Sequence, residues 1–155
     1  MLHIVLVEPE IPQNTGNIAR TCAATGSTLH LVKPLGFSID EKSVRRAGLD
    51  YWEFVNLKVY ESLEDFLGEH LGKRMFFATT KGNNKHSDVS YRDGDMLLFG
   101  KETAGLPKWL IESDRGVAVK IPMGRDEHLR SLNLSNAVNI VLYEALRQLD
   151  FLDLV

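Results

Sequence analysis

The chain has 155 residues, 44% of them apolar and 25% charged, and 18 Lys and Arg against 21 Asp and Glu leave a net charge of −3. That length suits one domain, so residues 1–155 are expected to fold around one core. No stretch reaches the ~18 apolar residues of a membrane span, and mild acidity counts against gripping nucleic acid through bulk positive charge.

The first apolar, β-branched run is His3–Val7. It follows Met1 with no basic leader, so no secretory signal is read and a cytoplasmic chain is expected. A helix over about 16–24 follows, with Asn14 or Thr15 as its cap and Gly26 as its stop. Its lone Cys22 rules out an internal disulfide, suits a reducing compartment and reads as a small buried apolar side chain. Thr28–Val32 is the next strand, then a short helix over Asp40–Arg46 and a strand over Phe54–Tyr60. Ser62-Leu63-Glu64-Asp65 has the cap-and-acid pattern of a helix start, with Gly72 closing that helix. Strands over Arg74–Thr79, Asp95–Phe99 and Val117–Ile121 flank a short helix over Pro107–Glu112. The last helix, Leu134 to Leu149, repeats Ala137, Val138, Val141, Leu142, Ala145 and Leu149 at helical spacing, and Ile140 and Leu146 widen its apolar face. That wide face belongs either to a fully interior helix or to one that also meets a second subunit. Tyr143 is read first as core or interface.

Alternating strands and helices, several strands being continuously apolar, imply an α/β fold: a mostly parallel sheet with helices on both faces. Ligands then belong at the loops beyond the strand C-termini.

Those loops exclude several cofactors. The segment after the first strand, Glu8 to Asn17, lacks the three glycines of a dinucleotide site, and Gly100–Gly105 is followed by Leu106-Pro107 where a triphosphate loop needs Lys and Ser or Thr. Five histidines, at 3, 30, 70, 86 and 128, show no metal-ligand spacing, so no metal is expected. Thr79–Gly82, Gly100–Gly105 and Ile121–Gly124 remain: glycine-bearing loops able to close around a flat, weakly polar ligand such as an adenosyl group.

Three segments carry a resemblance: Pro12-Gln13-Asn14-Thr15-Gly16-Asn17-Ile18-Ala19-Arg20; Phe99-Gly100-Lys101-Glu102-Thr103-Ala104-Gly105-Leu106-Pro107; and Ile121-Pro122-Met123 with Ser131-Leu132-Asn133-Leu134-Ser135-Asn136-Ala137. In order and spacing they resemble motifs one, two and three of the SPOUT RNA methyltransferases. Nearly the whole chain is similar to the minimal TrmL/YibK-like subgroup, which shares a segment like Arg45–Tyr51. The resemblance implies a C-terminal trefoil knot, a homodimer formed through the C-terminal helix region, and S-adenosylmethionine as methyl donor, with S-adenosylhomocysteine as product. It implies as reaction the methylation of the ribose 2′-hydroxyl of the wobble nucleotide, position 34, cytidine or modified uridine, in leucine tRNAs. Thr79, Gly100, Ile121, Met123, Ser131 and Leu132 would border the donor, and Leu134 would add apolar wall. Arg20, Asn14, Asn133 and Ser131 would be the catalytic set.

Chemistry sharpens these roles. A guanidinium with a pKa above about 12 is a poor base, so Arg20 is read as a fixed cation that pins a phosphate and stabilises a developing alkoxide. Asn14 and Asn133 can orient the ribose, with helix capping as an alternative role; Ser135 is read as a cap. Glu102 would fix Arg20 or a loop amide. Arg45 and Arg46 with Tyr51 and Trp52 pair cations with rings able to stack on unpaired RNA bases, Trp52 being read equally as core. The role of Gly124–Arg130, both acidic and basic, stays open. Two other functions remain: methylation of ribosomal RNA, and that of a cofactor-binding RNA-recognition protein without chemistry.

Overall fold

The computed structural model describes residues 1–40, 42 and 52–155. Its strands are β1 (His3–Val7), β2 (Thr28–Val32), β3 (Asn56–Tyr60), β4 (Met75–Ala78), β5 (Asn84–Lys85), β6 (Met96–Phe99) and β7 (Val117–Lys120). Its helices are α1 (Pro12–Thr25), α2 (Leu63–Glu69), α3 (Lys108–Ile111) and α4 (Leu134–Gln148), with a 3-10 turn at Trp52–Phe54. The strands form one sheet in the order β3-β2-β1-β6-β4-β7-β5, with every pairing parallel.

Strand alternation divides the apolar residues between two faces. Ile4 and Leu6 of β1 join Ile18 and Cys22 of α1 and Val138, Val141 and Leu142 of α4 in one core. Val5 and Val7 point the other way, onto Phe66 and Leu67 of α2 and Leu110 of α3. Helices therefore cover both faces. At about 1.5–3 kcal/mol for each large apolar side chain fully buried, these two layers supply the main force holding the sheet.

Helix α1 starts at Pro12, four residues ahead of the expected Gly16. Proline suits the first helical position, since its fixed φ is already helical and its missing N–H leaves no orphan donor. Asn14 and Thr15 consequently lie inside the first turn, and neither is the cap. The stop is as expected: Gly26 is left-handed at φ 65°, and its N–H bonds to the Cys22 carbonyl. Cys22 is fully buried, and desolvation pushes its thiol up to about 12. Helix α2 is capped by Ser62, whose hydroxyl accepts the Asp65 N–H at 3.1 Å. The strand expected from Phe54 begins at Asn56, because Trp52–Phe54 turns first. The expected helix over 40–46 lies almost entirely outside the described residues. β5, two exposed residues, carried no apolar signal in the sequence. In α4, Leu146 is buried, whereas Ile140 and Tyr143 are 39% and 46% exposed, so that helix is not fully interior.

On the α2 face a line of rings crosses three strands. His3 Nδ1 and His30 Nε2 lie 2.9 Å apart, His30 Nδ1 and the Tyr60 hydroxyl 2.9 Å, and that hydroxyl and His70 Nε2 3.0 Å. His30 is fully buried.

The chain lays β1, β2 and β3 outward on one side and then places β6 on the other side of β1. The switch point of the sheet thus lies between β1 and β6. Beyond it β6, β4 and β7 are neighbours, and their C-terminal loops stand side by side.

Candidate active site

Helix α1 has no side-chain cap of its own, because its cap position is Ile11. The loop after β6 supplies one from across the switch point. Glu102 Oε1 accepts the Glu10 N–H at 2.9 Å, and Oε2 accepts the Ile11 N–H at 2.7 Å and the Asn14 side-chain amide at 3.2 Å. The Ile11 N–H, at the cap position, has no partner within the helix, and the positive end of the helix dipole favours a carboxylate there. Loop amides are therefore partners of Glu102, as one of the two expectations had it.

Asn14 passes the connection on. Its Oδ1 accepts a 3.1 Å bond from Asn133 Nδ2, and Asn133 Oδ1 accepts from the Ser135 N–H at 2.9 Å and the Ser135 hydroxyl at 2.6 Å. The cap of α4 is thus Asn133; the expectation of Ser135 is corrected, since its hydroxyl donates to the cap instead. One polar line, Glu102–Asn14–Asn133–Ser135, joins the first, second and third sequence motifs.

Arg20 stands elsewhere on α1. Asn14, Ile18 and Cys22 face inward, whereas Gln13, Asn17 and Arg20 are exposed. Six residues of helix, about 9 Å of rise, separate Arg20 from Asn14. The cation is presented from the outer side of the helix whose start carries the polar line.

The expected donor-binding residues follow β4, β6 and β7. Thr79, half-buried, donates its N–H to the Val119 carbonyl at 2.9 Å and accepts the Lys81 N–H on its hydroxyl at 3.2 Å. Gly100 has no room for a side chain: a Cβ there would lie 2.0 Å from the Gly105 carbonyl carbon, because the 101–105 turn folds back on it. Ile121 packs half-buried against the α1 and α4 core. Met123, Ser131 and Leu132 are exposed along the segment leading to α4. Between them side chains of Gly124–Arg130 pair locally, His128 Nδ1 lying 3.0 Å from Asp126 Oδ1 and Arg130 forming an ion pair with Glu127.

Arg45, Arg46 and Tyr51 fall outside the described residues. Trp52 is half-buried against the α1 and α4 core, which favours its core reading over base stacking. Two residues that sequence reading passed over also stand here. Glu10 Oε1 accepts from Thr103, and Glu8, at the end of β1, holds a left-handed φ of 55° without being glycine. No local signal marks the first, since the contact spans 93 residues.

Residues 1–143 match the model of the SpoU rRNA Methylase family. The chain belongs to that family. As a member it is an S-adenosylmethionine-dependent methyltransferase. Among its relatives, the tRNA (cytidine(34)-2'-O)-methyltransferase of Escherichia coli strain K12 is 52% identical over 152 residues, covering 97% of this chain and 96% of that protein. A structure solved for insight into 2-OH methylation of C/U34 on tRNA superimposes with a TM-score of 0.91 at 47% identity, over 97% of both chains. The AdoMet-bound rRNA methyltransferase from Sinorhizobium meliloti matches with a TM-score of 0.83 at 29% identity, over 96% of this chain but 56% of that one.

The residues present fit the methyl donor of a SpoU methylase. The three adjoining loops offer main-chain N–H and C=O groups, and Gly100 excludes a side chain where the turn closes. Ile121, Met123 and Leu132 would provide apolar surface for a flat base, the usual combination of apolar wall and few polar anchors.

Proposed function

We propose that this chain transfers a methyl group from S-adenosylmethionine to the ribose 2′-hydroxyl of the wobble nucleotide, position 34, cytidine or modified uridine, of leucine tRNAs. The observation that carries this reading is the line Glu102–Asn14–Asn133, which brings the three motif segments to one place beside the switch point. The near-complete coverage of wobble-nucleotide relatives favours it over ribosomal RNA, since the matched rRNA methyltransferase is much longer than this chain.

When bound, the donor supplies a methyl group on a positively charged sulfur. Thr79, Gly100, Ile121, Met123, Ser131 and Leu132 hold the donor, largely through main-chain groups and apolar wall, with Leu134 behind them. Asn14 and Asn133, each already oriented by its partner, fix the ribose so that its 2′-oxygen meets the methyl carbon in line. Such alignment removes a large part of the barrier, roughly 7–11 kcal/mol where geometry is near ideal. Arg20 pins a phosphate and stabilises negative charge developing on the 2′-oxygen, while the proton leaves to solvent water, directly or relayed through a neighbouring hydroxyl that passes its own proton on. Arg45, Arg46 and Tyr51 bind the RNA. The enzyme acts in the cytoplasm as a homodimer through α4, whose exposed Ile140 and Tyr143 supply apolar surface, and 1–155 is one domain with its C-terminal part knotted.

The test is incubation with labelled S-adenosylmethionine and total tRNA, followed by mass spectrometry of the methylated nucleotide. Label on the 2′-oxygen of residue 34 in leucine tRNAs is expected. Label only in ribosomal RNA, offered in parallel, would transfer the assignment to that substrate.

A further inference from the structure

The loops after β1 and β6 exchange carboxylates. Glu102 reaches back to the N–H groups of Glu10 and Ile11, and Glu10 reaches forward: its Oε1 accepts the Thr103 hydroxyl at 2.7 Å and the Thr103 N–H at 3.1 Å. Thr103 is the exposed tip of the 101–105 turn. That turn is closed at its base by the Gly105 N–H on the Lys101 carbonyl at 2.8 Å and by the left-handed φ of 69° at Gly105.

The backbone behind Glu10 is anchored. Its N–H is bound by Glu102, the preceding Pro9 is buried and accepts the Gly36 N–H at 2.9 Å, and a Cβ on Gly36 would lie 2.6 Å from the Glu10 carbonyl oxygen. The carboxylate therefore projects from a fixed point to the exposed tip of a turn whose other side-chain tie to this segment is Glu102, on the Glu10 and Ile11 N–H groups and the Asn14 amide. The two Thr103 bonds hold the Glu10 carboxyl below its ordinary range, so it accepts as an anion, the stronger form of such bonds.

We propose that Glu10 is a positioning residue for methyl transfer: by tying the tip of the 101–105 turn to the start of α1, it keeps the main-chain groups from Gly100 to Gly105 in the arrangement that receives the donor. The proposal rests on the assignment of this loop to the donor. Glu102 orients Asn14 from the same turn, so the Glu10 strap also holds Glu102 in register with α1.

Titration calorimetry with S-adenosylhomocysteine tests this on the full chain and on Glu10→Ala, Glu10→Gln and Thr103→Val, with amide hydrogen exchange at Thr103 as a second readout. Glu10→Ala is expected to weaken binding about tenfold, no more than the low end for one bond to a charged acceptor because both bonds are solvent-exposed, and to speed exchange at Thr103. Glu10→Gln keeps an accepting Oε1 and is expected to restore most of the affinity, and Thr103→Val, which keeps only the amide bond, to fall between. Wild-type affinity together with wild-type exchange in Glu10→Ala would overturn the positioning role alone. Absence of binding by the unaltered chain would overturn the donor assignment and the positioning role with it. If Glu10→Ala fails to fold, Thr103→Val decides, and wild-type affinity there with unchanged exchange overturns the role.

Discussion

Asn133 donates from Nδ2 to Oδ1 of Asn14 at 3.1 Å across 119 residues of chain, while its own Oδ1 starts helix α4. One side chain therefore sets both the beginning of the last helix and the orientation of an amide on the first.

The two tasks separate by substitution. Asn133→Asp keeps a capping oxygen but replaces the donor toward Asn14 with a second acceptor. Stability by urea denaturation is expected to fall by about 0.5–1.5 kcal/mol, the cap being kept and only the bond to Asn14 lost, while turnover drops. Asn133→Ala loses both and is expected to cost about 1–2 kcal/mol of stability as well. Full activity in Asn133→Asp would detach the Asn14 contact from catalysis.

Arg20→Ala is expected to lower methylation roughly 10²–10³-fold, the cost of one missing group that stabilises transition-state charge. Affinity for S-adenosylhomocysteine should hold, because the role proposed for Arg20 is toward the RNA phosphate and the charge that develops on the 2′-oxygen, neither of which is part of that ligand. Undiminished turnover would remove Arg20 from the mechanism.

Gly100→Ala places a Cβ about where the Gly105 main chain runs, and backbone cannot step aside as a flexible side chain can. Overpacking of this kind costs about 1–3 kcal/mol. Denaturation midpoint and donor affinity should fall together; an unchanged midpoint would mean that the 101–105 turn yields freely.

The His3, His30, Tyr60 and His70 line makes stability depend on pH. Desolvation and the neighbouring cationic groups depress His30 to about 3, and burial lowers His3 and His70 too. Between about 3 and the ordinary 6.5 the unfolded chain binds the proton that folded His30 refuses. Its contribution is thus full above pH 6.5 and lost as pH falls toward 3, at up to about 1.4 kcal/mol per pH unit. Urea titrations from pH 7 to 4.5 should show this slope, reduced in His30→Phe. An identical slope in that variant would place the acid sensitivity elsewhere.

The centre of the sheet is legible because β1, β2, β4 and β6 are buried on both faces and read as short continuous apolar runs such as Ile4-Val5-Leu6-Val7 and Met96-Leu97-Leu98-Phe99. β5 is not, since Asn84 and Lys85 are exposed and pair with β7 without apolar content. The start of α1 was misjudged because polar Asn14 and Thr15 look like caps, while the group that caps the helix comes from Glu102, 88 residues beyond Asn14. Motif order singles out Glu102, Asn14 and Asn133 as candidates, and only the fold shows their mutual bonds. The Glu10–Thr103 strap had no trace, because neither residue type at either position is unusual in a loop.

That distant origin of the α1 cap bears on how the polypeptide comes off the ribosome. The first turn of α1 emerges long before the carboxylate that completes it, so its leading amides must wait in water until β6 has docked beside β1. Early chain segments are thereby kept provisional, and the amino-terminal half reaches its final form only after about two-thirds of synthesis is over.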